Sequence, residues 1–375
     1  MRASIWIWLF VLGATASGCQ NAPAKPSEPP PIPGAATDFS GDTAFQHLRA
    51  LAAIGPRVAG TPEADQTRAY LRGELEKLGL SVEERRFQGP PGPEGASQEL
   101  VNLVAVIPGA SPQLFVLTAP YDTRPFDSFR FVGANDGASG PALLLELARV
   151  IQARPLPYTT WIVFLDREAP RAGDPTGEPL LAGSSVLATE LLSGANPASV
   201  RLVVSFQQVG DADLRIARDL RSHRLFREEF WLAAARLGRG DAFRADDLFE
   251  SPPGSHLSFI AIGYRGVVLI SDPSYGGDEP PGTFANSEDD TPERCSPQSL
   301  ATVGMVTLAA LERIGERLAK IDRYAKPIEE PAPAPAPSEA AAESEPVVPP
   351  PAPSEPAVTA PEAIPPAPTP APPAP

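Results

Sequence analysis

Between residues 43 and 319 the chain alternates amphipathic helical segments with short apolar runs, and that alternation leaves few folds open. Residues 43–54 put Phe45, Leu48, Leu51, Ala52 and Ile54 on one side of a helix. After Gly55-Pro56-Arg57 a second helix starts near Thr61-Pro62-Glu63, where threonine caps and proline suits the first turn. It runs through Tyr70, Leu71, Leu75 and Leu78 and stops at Gly79. Strand patterns follow at 80–87, 100–107 and the wholly apolar 114–117, and again at 161–165, 202–206, 214–217 and 266–270. Helices are expected at 138–152, 183–192, 225–237 and 297–319. Interleaved with helices, short continuous apolar strands predict an α/β fold, a three-layer αβα sandwich around a mixed, mostly parallel sheet. Sites in such sheets form beyond the carboxyl ends of the strands.

The two ends have a different character. Met1-Arg2, an apolar run from Ile5 to Leu12 and the small residues Ala16-Ser17-Gly18 before Cys19 read as a secretory signal. The run is too short for a spanning helix, which needs about 20 residues. Residues 1–19 are thus expected to be a lipoprotein signal peptide with Cys19 as the acylated residue. Gln20 after the cysteine points, by analogy with Gram-negative lipoproteins, to the outer membrane. Residues 20–37 form a Pro-rich linker, 38–326 one domain, and 327–375 a tail of Pro, Ala, Glu, Ser and Val. Such a tail cannot bury enough apolar surface to offset chain entropy and is expected to stay disordered. It holds seven glutamates and no basic residue, so the formal charge of −15 becomes −8 without it (−15 + 7). An acidic domain excludes the electrostatic footprint of a nucleic-acid binder. With Cys19 acylated, Cys295 has no disulfide partner and is expected to be a lone buried thiol.

Several motifs fall at the predicted strand ends in order: Ile54-Gly-Pro-Arg-Val-Ala-Gly60, Tyr121-Asp-Thr-Arg-Pro125, Phe131-Val-Gly-Ala-Asn-Asp-Gly137, Leu144-Leu-Glu-Leu-Ala-Arg149, Val209-Gly-Asp-Ala-Asp-Leu214 and Glu288-Asp-Asp-Thr-Pro292. Together they resemble the glutaminyl-peptide cyclotransferases and their zinc aminopeptidase relatives across residues 42–320. The resemblance implies a zinc ion that polarises a carbonyl or activates water while a glutamate moves a proton. It matches Glu168 to that general base, Asp122 to its supporting carboxylate, and Asp136 to a metal ligand. The other ligand positions are substituted: Pro120 stands for the histidine two residues before Asp122, Ala169 for the acid after Glu168, Gln207 for the aspartate before Val-Gly-Asp, and Ala285 for the final histidine. Gly254 and Ser255 replace an acidic pair found in the cyclases.

The chain has three histidines, His47, His223 and His256, so no realignment supplies a late ligand. His256 is expected at a helix start or in the core, and His47 and His223 at solvated positions. Asp122, Asp136, Glu168 and Glu288 or Asp289 either converge on the former metal pocket, with Arg124 or Arg167 neutralising them, or lie apart as surface loop residues. Which cofactor such a set keeps is unknown from the sequence: zinc is what the family uses, whereas imidazole-free carboxylates favour weak binding of calcium or magnesium. No Gly-x-Ser-x-Gly elbow supports a serine hydrolase. The expectation is an envelope lipoprotein whose domain binds peptide N-termini or an envelope protein without turnover. The alternative is an active zinc-dependent glutaminyl-peptide cyclotransferase or aminopeptidase.

Overall fold

The computed structural model describes residues 36–90, 97–170, 179–194 and 199–324. The expected signal segment with Cys19, nearly all of the Pro-rich linker, and the 327–375 tail lie outside the described residues. Two capped helices open the fold. In α1 (Gly41–Ile54), the Ser40 hydroxyl accepts the Thr43 amide at 3.1 Å, and Ala44, Leu48, Leu51 and Ala52 form the buried stripe. In α2 (Pro62–Lys77), Thr61 caps and a proline occupies the first turn, as the sequence predicts.

The strands are β1 (Val82–Gln88), β2 (Glu99–Ile107), β3 (Ser111–Pro120), β4 (Tyr158–Leu165), β5 (Val200–Gln207), β6 (Ile216–Asp219), β7 (Phe243–Phe249) and β8 (Val267–Ser271). The remaining helices are α3 (Gly140–Ala153), α4 (Ala182–Gly194), α5 (Arg224–Arg236), α6 (Ser255–Ala261) and α7 (Pro297–Tyr324). Six strands form one mixed sheet in the order β1-β2-β4-β3-β5-β8, with β4, β3, β5 and β8 mutually parallel and β2 antiparallel to both its neighbours, β1 and β4. β6 and β7 make a separate parallel pair.

The sheet is covered on both faces, which explains the continuous apolar runs. Alternate residues of β3 separate cleanly. Phe115, Leu117 and Ala119 join the larger core with α1, α3, α5 and α7, while Leu114 and Val116 join a second core with α4 and Phe259 of α6. Burying such side chains stabilises by roughly 1.5–3 kcal/mol each, so the central strands anchor the loops at their ends. The fold is thus the expected αβα sandwich. Two elements, β7 and α6, carry no periodic signal in the sequence. β7 reads Phe-Arg-Ala-Asp-Asp-Leu-Phe and pairs only with β6, so no apolar alternation marks it. α6 spans seven residues after Pro252-Pro253-Gly254, too short for a periodic signal. Cys295 is a buried free thiol, and burial pushes its pKa up.

Candidate active site

The parallel strands end on one side of the sheet, and a pocket of about 120 Å³ lies beyond them. Pro120 and Asp122 come from the end of β3, Glu168 and Ala169 from the turn after β4, and Gln207 closes β5. Arg124, Asp136, Pro170, Pro179, Leu181, Pro253, Gly254 and Asn286 complete the wall. Of the two arrangements the sequence leaves open for the acids, convergence is the one found for Asp122, Asp136 and Glu168. Glu288 and Asp289 are exposed and outside the lining, and Arg167 is also outside it. Ala285 does not line the pocket, although its neighbour Asn286 does.

Asp122 ties two strand ends together. Its Oδ1 accepts the Glu168 amide at 3.1 Å and its Oδ2 the Ala169 amide at 3.0 Å. Glu168 is almost wholly buried, and its Oε1 accepts the Ser184 amide at 2.8 Å in the first turn of α4. Its Oε2 is buried without a hydrogen-bond partner among the described residues. Asp136 is half-buried in the turn before α3, and its side chain makes no hydrogen bond to the described residues. Loss of water pushes all three carboxyls up to about 7. For Asp122 the charge of Asp166 adds to that rise; for Asp136, Asp290 adds to it while Arg57 and Arg124 oppose it. The nearby Ser255 hydroxyl and the Ser184 amide act to pull the Glu168 carboxyl down against burial.

Two residues that hold this site carry no assigned role in the sequence reading. Arg57, wholly buried, donates to the carbonyls of Val132 and Gly133 at 2.7 Å each, and to those of Tyr121, Gly55, Asp136 and Leu51 at 3.1–3.4 Å. It stitches the end of α1 and the turn after it to the β3–α3 connection that bears Asp122 and Asp136, and it is the buried cation of the neighbourhood. Arg124 instead stacks over Phe126 with its guanidinium carbon 5.2 Å from the ring centre. The second residue is Asp290, last of three consecutive acids and the only one buried. Its carboxylate accepts the amides of Asn135 at 2.7 Å and Asp136 at 3.1 Å and the Tyr275 hydroxyl at 3.1 Å. Gly137 is obligatory at this turn. It sits at φ 86°, and a Cβ there would lie 2.4 Å from the Asp122 carbonyl oxygen.

The backbone around the pocket is strained. Among the described residues, four non-glycines adopt left-handed φ: Arg167 at 57°, Leu181 at 50°, Gln208 at 52° and Asn286 at 54°. Leu181 and Asn286 line the pocket, and the other two adjoin lining residues. Such conformations persist only where surrounding structure imposes them, and they gather at ligand sites.

The histidines stand apart from the pocket lining. His256, in the first turn of α6, is fully buried, as expected of a helix-start or core residue. Its Nε2 lies 3.1 Å from the Ser251 hydroxyl, which donates to Asp219 at 2.8 Å. Burial lowers its pKa to about 4, although Asp219 acts to raise it. The other two correct an expectation of solvated positions. His47 is half-buried with Nδ1 2.7 Å from the Tyr70 hydroxyl, and the His223 ring accepts the Phe226 amide as the cap of α5. Among the described residues, no three His, Cys, Asp or Glu side chains are grouped to hold a metal ion.

Residues 102–311 match the model of peptidase family M28. The glutaminyl-peptide cyclotransferase-like protein of Bos taurus is 37% identical over 135 residues, which cover 32% of this chain and 33% of the relative. The match thus spans about a third of that relative's length. The crystal structure of an Acidobacteriales bacterium glutaminyl cyclase superposes with a TM-score of 0.68 and 28% identity, covering 81% of this chain and all of that one. A Zn-dependent exopeptidase from Parabacteroides distasonis gives 0.65 at 23% identity, covering 75% of this chain and 99% of that one, a likeness of fold.

Proposed function

The chain belongs to peptidase family M28, and from that premise we propose that its domain binds peptide N-termini, free or presented by an envelope protein, without zinc-dependent turnover. The observation that carries this reading is the donor set at the pocket. A catalytic zinc needs about three side-chain ligands and one open position. Pro120 and Ala169 offer no donor, and the Gln207 amide donates to the Ser255 hydroxyl at 3.3 Å. Asp136 is then the family-matched ligand that remains. These residues do not fit a zinc ion. The strained turns at Leu181 and Asn286 support a pocket still held open for a ligand.

The same reading has the protein exported and lipid-anchored through Cys19, in the outer membrane of a Gram-negative cell, with its Pro-rich segments as spacers. It rests on the order of residues 1–20 and on composition. Incorporation of labelled fatty acid, lost in Cys19→Ala, checks the anchor.

Incubating the full chain with glutamine-led peptides and aminoacyl amides, with and without added zinc, tests the function. The reading expects no product, and binding of free-amine peptides that N-acetylation abolishes. A second reading, an active zinc-dependent glutaminyl-peptide cyclotransferase or aminopeptidase, is favoured by one observation: Glu168 is retained in the pocket with Oε2 unpartnered. Release of pyroglutamyl product or free amino acid, abolished by Glu168→Gln and by chelator, would establish it instead.

A further inference from the structure

We propose that a groove at the other end of the sheet binds an aliphatic carboxylate, a hydrocarbon chain that ends in a carboxyl group. The groove lies at the amino ends of the parallel strands: Val200 and Arg201 open β5, and Gly266 directly precedes β8. It shares no lining residue with the candidate active site, so the proposal stands apart from whatever that pocket binds.

Charge distinguishes this groove. The chain carries 46 acidic residues against 31 basic ones, and the candidate active site and two other surface grooves are each lined by at least three carboxylates. Here no acid lines the wall, and the ionisable lining residues are Arg201, His223, Tyr264 and Arg265. Arg201 is already matched. Its guanidinium donates to both Asp322 carboxylate oxygens at 2.9–3.0 Å and to the Gln113 side chain at 2.7 Å. Arg265 is not. It is exposed, and its guanidinium makes no ion pair or hydrogen bond among the described residues. His223 adds a directed donor. Its Nδ1 accepts the Phe226 amide at 3.3 Å, which leaves the ring proton on Nε2, and Nε2 has no partner among the described residues. The same residue caps α5, whose N-terminal dipole also favours an anion.

The charge count and the wall together select the ligand. With Arg201 neutralised by Asp322, one unmatched positive charge remains at the groove, which suits a monoanion better than a doubly charged phosphate ester. A planar carboxylate can also take two donors from a guanidinium at once. The rest of the wall is apolar: Leu192, Phe226, Ile262 and Leu318 line it, and Leu192 is 41% exposed. A small inorganic anion would leave that surface in water, whereas a hydrocarbon chain behind the carboxylate covers it.

Calorimetric titration of the full chain tests this with octanoate, octanol, acetate and N-acetyl-Gly-Gly-Leu, the peptide both as free acid and as amide. N-acetylation keeps the peptide from acting as a free amine. We expect octanoate to bind at least tenfold more tightly than octanol or acetate, and the peptide acid at least tenfold more tightly than its amide. Whichever acid binds more tightly identifies the source, a free aliphatic acid or a peptide C-terminus. Arg265→Gln, shown to be folded by its thermal transition, should weaken the preferred acid at least tenfold, Arg265→Lys less than threefold, and Leu192→Ser at least threefold. The proposal is overturned if neither acid binds, or if octanol or acetate matches octanoate. It is equally overturned if the preferred acid binds Arg265→Gln as tightly as wild type, and loss of that binding in Asp136→Asn would place the ligand in the acidic pocket instead.

Discussion

Replacing Arg57 with methionine keeps most of the side-chain length and removes every donor it places among buried carbonyls. Its two shortest bonds, 2.7 Å each to the Val132 and Gly133 carbonyls, are charge-assisted, and such bonds stabilise by about 1.5–3 kcal/mol each. Those two alone give about 3–6 kcal/mol. The four longer contacts contribute less, because five N–H groups are shared among six acceptors. The charge matters as well: Asp290, Asp136 and Asp122 all act to keep Arg57 protonated, against the burial that lowers it to about 10. Removing it leaves those carboxyls facing one another without a buried counter-charge. We expect Arg57→Met to cost about 4 kcal/mol, a large part of the 5–15 kcal/mol typical of a folded domain. Arg57→Lys, with three donors on one atom, should recover only part. Urea unfolding followed by far-UV circular dichroism reads the loss as a lower midpoint at an unchanged slope. A loss below about 1 kcal/mol for Arg57→Met would refute the view that this guanidinium holds the site together.

Two further changes test other parts of the account. Gly137→Ala puts a Cβ 2.4 Å from the Asp122 carbonyl at a φ of 86°; a cost above about 2 kcal/mol is expected, and a melting temperature within 1–2 degrees of wild type, on the order of the effect of a neutral surface change, would contradict the turn geometry. His256 is held neutral, with its pKa lowered from 6.5 to about 4. Its contribution is therefore fully present above pH 6.5 and lost as pH falls through 4, up to about 3 kcal/mol. The urea-stability gap between wild type and His256→Gln should narrow from pH 7 to pH 4, while the other titrating groups are common to both proteins; a gap independent of pH argues against a buried neutral imidazole.

The architecture was legible because strands such as 114–117 are apolar on both faces, which only a covered sheet allows, and because Ser40, Thr61 and Pro62 mark helix starts by their chemistry. The positions of Asp122, Asp136 and Glu168 were legible as motifs at strand ends. Their convergence was not, since it depends on turns at Arg167, Leu181 and Gln208, residue types that do not advertise left-handed backbone. Glu288, Asp289 and Asp290 look alike in sequence; only the packing of Tyr275 and the Asn135 turn selects Asp290 for burial. Arg57 sits in a motif the sequence displays plainly, but nothing in that motif says that six carbonyls, from the end of α1, the turn after it and the β3–α3 connection, will close on it. The sequence instead offers Arg124 and Arg167 as neutralising cations, because they lie within two residues of Asp122 and Glu168.

The central claim is that this pocket has too few donors to keep zinc, and metal stoichiometry of the purified full chain tests it most directly. After equilibration with equimolar zinc and removal of free metal by gel filtration, elemental analysis should find well under one zinc per chain, and added zinc should leave the melting temperature unchanged. One retained zinc per chain, lost in Asp136→Ala, would contradict the account.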